Sequence, residues 1–140
     1  MVIEYKKESF SPKAPVLTEG LDMYQEFAIE GLNFLRSAEN SLLTLETVPN
    51  DSEAIDNTFK VFHTIAGLAG FLNLEDIQFI AHRLQIIFDL VRKRSLPLDD
   101  GNLTVIIEAT HGLQKLLILL SIFSAFMNVM IRFFSFILLM

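Results

Sequence analysis

The chain's 140 residues include no cysteine, which excludes both a disulfide scaffold and a thiolate metal site. Positive charge is scarce as well: 11 Lys and Arg stand against 17 Asp and Glu, for a formal net charge of −6. With no basic stripe to neutralise phosphates, nucleic acid is excluded as a partner. The N-terminal stretch MVIEYKKESFSPKAP lacks the apolar run of a signal peptide, so a cytoplasmic setting is expected. A glycine-rich phosphate loop of the form G-x-x-x-x-G-K-[ST] is missing, so no ATP site is expected within the chain, nor any cofactor or metal. Strand-like alternation between turn signals is missing too, and the expected class is all-α. The length suffices to bury a sizeable core without cross-links.

What is present reads as helices separated by short breaks. Residues 1–18, with Pro12 and Pro15 among charged and small residues, suit a flexible, extended arm. From Glu19 to Glu46, Phe27, Leu32, Leu35, Leu42, Leu43 and Leu45 recur in roughly helical steps. Pro49, Asn50 and Asp51 end that helix, and Asp51 or Ser52 can cap the next. The second helix runs from about Ser52 to Gly70 with Ile55, Phe59, Phe62, Ile65 and Ala69 turned inward. A third starts near Glu75 and Asp76, whose charge suits a helix N-terminus, and ends in Arg92, Lys93 and Arg94. Its core face is Ile77, Ile80, Ala81, Leu84, Ile87, Phe88 and Val91. After the turn at Pro97, Asp99, Asp100 and Gly101, a fourth helix begins around Asn102. Short connections make neighbours antiparallel, so the expected architecture is an up-down four-helix bundle over 19–120, followed by an apolar helical segment over 121–140.

Within the second helix, VFHTIAGLAGFLNL (61–74) sets a histidine before a run of small residues. Positions i+3, i+4 and i+7 from His63 are Ala66, Gly67 and Gly70, so the ring is expected to stand over a flat patch. Each interior glycine costs on the order of 1 kcal/mol relative to alanine. Close helix packing would explain that cost, and so would clearance for another macromolecule approaching the ring. The longer stretch TFKVFHTIAGLAGFLNLEDIQFIAHRLQIIFDLVRKRSLPLD resembles the histidine phosphotransfer (HPt) domain, most closely the one at the N-terminus of chemotaxis-type histidine kinases. Phe59, His63, Thr64, Ile65, Gly67, Ala69, Gly70, Phe71, Leu74, Ala81, His82 and Leu84 occupy the family's motif positions, and the resemblance spans about 22–117.

That resemblance implies a phosphoryl carrier in a two-component phosphorelay, with His63 as acceptor. Its partners would be a receiver domain, a histidine kinase catalytic domain, or both, and nearly all the catalysis would reside in them. Gln85 is expected to hydrogen-bond the ring, with His82 and Lys60 as secondary site residues and Ala66, Gly67 and Gly70 as the docking face. Two positions depart from the family: Ala66 replaces a lysine and Gln85 a glutamate. A glutamine oxygen can accept a hydrogen bond and select a tautomer, but it brings no charge to a developing imidazolium. Lys60 or Arg83 could supply a cation instead, while His111 receives no role. Two readings stay open: an active carrier, and a degenerate module that docks or dimerises without being phosphorylated.

The remaining feature is LLILLSIFSAFMNVMIRFFSFILLM (116–140), whose sole charge is Arg132. It helps raise the chain to 51% hydrophobic residues and a mean hydropathy of +0.44. Roughly 20 apolar residues can span a bilayer. Yet Ser121, Ser124, Asn128, Arg132 and Ser135 fall on one helical stripe, with Phe123, Phe126, Met127, Met130, Phe133, Phe134 and Ile137 around the rest. A wide aromatic face of this kind suits burial against protein, such as a homodimer partner through this C-terminal helix, or association with a membrane. A bundle serving oligomerisation alone is a third reading.

Overall fold

A computed structural model describes residues 14–140. Four helices follow in order: α1 (Ala14–Thr47), α2 (Ser52–Phe71), α3 (Glu75–Arg92) and α4 (Asp100–Leu139). The flexible arm expected over 1–18 lies largely outside the described residues, and its described part is already helical from Ala14. Pro15 is compatible with that start, because a first-turn residue has no intrahelical use for the N–H that proline lacks.

The chain writes its own helix ends. Asp51 caps α2, its side chain accepting from the Ala54 amide at 2.9 Å. Asp99 caps α4 in the same way, accepting from the Asn102 amide at 2.7 Å; the helix therefore starts two residues before the expected Asn102. Such side-chain acceptors satisfy first-turn amides that have no partner within the helix. Between α2 and α3 the chain reverses within residues 72–74, where Asn73 takes φ 57°. Asparagine tolerates this left-handed conformation better than most side chains.

Neighbouring helices are antiparallel and form a ring: α1 packs on α2 and α4, α2 on α3, and α3 more lightly on α4. The core between them holds Phe62, Phe88, Leu35, Leu45, Ile65, Leu84, Leu113 and Leu117, all essentially inaccessible. Burying a side chain of this size contributes about 1.5–3 kcal/mol. Of the apolar residues expected inside α1, Leu43 instead faces solvent. Gly31 sits where α1 meets α4, and a Cβ there would lie 3.0 Å from Leu117 Cδ1. Two buried threonines cost nothing in lost hydrogen bonds, since Thr58 and Thr110 donate to the carbonyls of Ala54 and Ile106, each at 2.8 Å.

Helix lengths shape the rest. At 1.5 Å per residue α2 and α3 are about 30 Å long, whereas α1 is about 50 Å and α4 about 60 Å. α4 continues without a break through the segment expected to be a separate element. Its last turns run past the end of α3 and pack along the N-terminal half of α1, where Asn128 donates to Asp22 Oδ1 at 2.7 Å. The polar stripe faces inward along most of its length: Ser124 is fully buried and Ser121, Asn128 and Ser135 are half-buried, with Arg132 exposed, while Phe123, Phe126, Phe133, Phe134 and Phe136 are exposed. Length and composition would let this helix cross a membrane, with a mean hydropathy of 2.1 over its most apolar window and 11% of that window buried.

Candidate functional site

α2 positions His63 through its neighbours. Phe62, Ile65, Ala66 and Ala69 form the buried stripe, which turns His63 out to solvent on the side toward α3. There Gln85, on α3, places its amide Nε2 3.0 Å from His63 Nδ1. Placed so, the amide N–H donates to Nδ1 and leaves the ring proton on Nε2. A half-turn of the terminal amide exchanges its nitrogen and oxygen, after which Oε1 accepts from Nδ1–H and Nε2 keeps its lone pair. One glutamine can therefore hold either tautomer. In both, Nδ1 is occupied and Nε2 has no protein partner among the described residues.

A second contact steadies the ring from within α2. Phe59, one turn earlier, stacks on His63 with ring centroids 6.0 Å apart and planes within 9°. The Arg92 guanidinium lies over the Phe59 ring, 4.0 Å from its centroid. Arg92 is fixed in turn by Asp89 at 2.8 Å, and Lys93 reaches the same carboxylate at 2.7 Å. Hydrogen bonds from Lys93 and then Arg92 hold the Asp89 carboxyl below its ordinary value. Because that value is lowered, the clamp's contribution is complete above the ordinary carboxylate range and is lost only as pH falls through the lowered one. An aromatic four residues before a histidine is legible in sequence as a same-face pair. Arg92 is not, since it arrives from the far end of α3 only once the helices pack.

The other expected site residues separate. Gly67 lies on the open face beside His63, and a Cβ there would meet nothing within 4 Å. Gly70 is half-buried, with a Cβ position 2.7 Å from Nε2 of the Gln78 side chain. Ala66 is a correction: it is buried at 6% exposure and faces the core, so it forms no part of a docking face. The reason is geometric, because three residues from His63 the helix has turned Ala66 back toward the stripe of Phe62, Ile65 and Ala69. Lys60 lines a polar groove with Ser37, Ser41, Asp56 and Asn57, and its side chain makes no ion pair among the described residues. His82 is exposed without a hydrogen bond to His63 or Gln85, and the neighbouring Arg83 stacks on Phe79 at 5.0 Å. His111 lines a separate groove between α1 and α4. Among the described residues no cluster of three or more His, Asp or Glu could hold a metal ion.

Sequence reasoning missed several exposed apolar side chains on α2 and α3. Leu68 and Phe71 on α2, and Phe79 and Ile86 on α3, are exposed. Exposed apolar groups on the two helices that carry His63 and Gln85 have the composition of a protein-docking surface.

Comparison with known proteins adds a consistent picture. The sequence profile of the Hpt domain matches residues 22–120. Chemotaxis protein CheA of Halobacterium salinarum is 31% identical over 96 residues, covering 69% of this chain and 14% of its own length. Sensor histidine kinase CheAY of Helicobacter pylori is 25% identical over 97 residues, covering 69% of this chain and 12% of its own. The chain thus spans a small fraction of the length of these relatives. Among solved structures, the CheA phosphotransferase domain from Thermotoga maritima superposes with a TM-score of 0.66 at 25% identity, covering 69% of this chain and 92% of that one.

Proposed function

The chain belongs to the Hpt domain family, the histidine phosphotransfer domains of phosphorelay signalling, and on that premise we propose that His63 is the residue that carries the phosphoryl group. The observation that carries this reading is the ring itself: exposed, stacked on Phe59, and engaged at Nδ1 by Gln85. The reactive state is the tautomer with the proton on Nδ1 and Gln85 Oε1 accepting it. Nε2 then attacks the incoming phosphorus, the N–P bond forms, and the leaving group departs with its electron pair. The donor is a nucleotide γ-phosphate held by a histidine kinase catalytic domain, or an aspartyl phosphate on a receiver domain. Metal and charge stabilisation come from that partner. Return transfer runs the same step backwards. Gly67 gives the partner clearance, while Phe71, Phe79 and Ile86 give it apolar contact, in a cytoplasmic setting.

Gln85 and Ala66 favour one further reading. Where the resembled family has charge these residues have none, and no lysine or arginine contacts the His63 ring among the described residues. A docking module that keeps the surface without accepting phosphate would have this site. Incubating the protein with a phospho-donor and mapping acid-labile phosphate decides between the two. The carrier reading expects label on wild type and none on His63→Gln; an unlabelled wild type that still binds the receiver establishes the docking module.

A further inference from the structure

The part of α4 from Leu119 onward lies almost wholly outside the Hpt match and carries a second helix-packing surface that no other described residue covers. Ser121, Ser124 and Asn128 face α1. About half a turn away, Leu119, Ile122, Phe126, Val129, Phe133 and Phe136 recur at alternating steps of three and four, a spacing continued by Met140. This is the heptad repeat by which one helix seats against another. All seven are more than half exposed, including Phe126 at 60%, Phe133 at 55% and Phe136 at 63%. We propose that this seam pairs with the same seam of a second copy, antiparallel, to give a two-fold symmetric dimer.

Area, charge and register point to a second copy. At about 150–250 Å² per aromatic side chain, the seam and its flanks expose on the order of 1,000 Å² per copy, against about 800 Å² per partner in a standard stable interface. The seam has no charged residue with which to select a different partner, and a self-complementary apolar stripe closes under a two-fold axis. A lipid surface fits less well. Arg132 is the lone cation from Leu116 to Met140, so anionic headgroups have little to bind. Glu19, Asp22, Glu26 and Glu30 are exposed on the stretch of α1 that runs beside it, and insertion would have to desolvate or displace them. Antiparallel pairing opposes the helix dipoles and sets the two acidic bundles at opposite ends, whereas parallel pairing would crowd two chains of net charge −6. Full overlap then brings Phe126 of one copy against Phe133 of the other, and Ile122 against Phe136.

The test uses the full chain in three measurements. Light scattering at tens of micromolar is expected to give twice the 15.9 kDa chain mass, and Phe126→Glu with Phe133→Glu is expected to give the single mass with unchanged helical circular dichroism. Because the chain has no cysteine, single-cysteine variants report the register: a mixture of Ile122→Cys and Phe136→Cys proteins should cross-link to each other on oxidation. Sedimentation with phosphatidylcholine vesicles should leave the protein in solution. A monomeric wild type, a dimer that survives both glutamates, Ile122→Cys cross-linking only to itself, or co-sedimentation with vesicles would each overturn the proposal. None of these outcomes depends on whether His63 accepts phosphate, so this proposal and the carrier reading fail separately.

Discussion

The two ends of this molecule obey opposite rules. Around α2 and α3, apolar residues such as Phe62, Ile65, Leu84 and Phe88 are buried while His63 and Gly67 face out. In the extension made by α1 and α4, Ser124 is buried and five phenylalanines face out. At the first end, burial within one chain satisfies the hydrophobic pattern and frees the surface for chemistry. At the second end the pattern remains unsatisfied until something else covers it. A half-buried asparagine marks the inversion: Asn128 donates to Asp22, while its buried Oδ1 has no hydrogen-bond partner among the described residues.

Substitution of phenylalanine tests this contrast with the largest effect. Phe62→Ala empties a fully buried site and is expected to cost about 3–5 kcal/mol of stability. Phe126→Ala removes an exposed ring, and added to Phe133→Glu at a concentration where both proteins are monomeric it should move thermal unfolding by less than about 0.5 kcal/mol relative to Phe133→Glu alone. Equal losses would erase the distinction between the two ends.

Gly67 sharpens the first end. Nothing lies within 4 Å of its Cβ position, so Gly67→Ala should raise stability by up to about 1 kcal/mol through helix propensity alone. Gly67→Leu should fold equally well and slow phosphotransfer by about tenfold, a loss of roughly 1.4 kcal/mol at the docked state. Rates measured against one receiver or kinase domain check this. If Gly67→Leu transfers at the wild-type rate, the glycine is not there for clearance.

Smaller effects come from the hydrogen-bond partner and the helix end. Gln85→Glu removes the unproductive amide orientation and adds charge beside Nδ1–H; a gain of about 1 kcal/mol corresponds to a phosphorylation rate roughly fivefold higher. A slower variant would show that neutrality at Gln85 serves the reaction. Least of all, Arg94 holds φ 58° just beyond α3, where glycine is at home. Arg94→Gly should stabilise the fold by about 0.5–1 kcal/mol in denaturant unfolding.

Sequence reasoning reached the four helices, narrowed the cap of α2 to Asp51 or Ser52, and found the core face of α3, because periodicity and capping chemistry are local. It also found the polar stripe of α4, though not which way the stripe would face. Spacing alone cannot tell an inward stripe from an outward one, and here the usual rule gives the wrong sign. Ala66 was misplaced for a related reason: sharing a face at i+3 is a statement about 60° of rotation, and the edge of the core falls within it. Arg92 and its hold on Phe59 depend on α3 ending beside the middle of α2, which no local pattern encodes.

The central claim is that His63 carries the phosphoryl group at Nε2 while Gln85 keeps Nδ1. Magnetic resonance on protein with isotope-labelled histidine, phosphorylated by its donor, tests this most directly. It should show phosphorus bonded to Nε2 of His63, with His82 and His111 unmodified. Phosphorus on Nδ1, on either of the other histidines, or on none would contradict it.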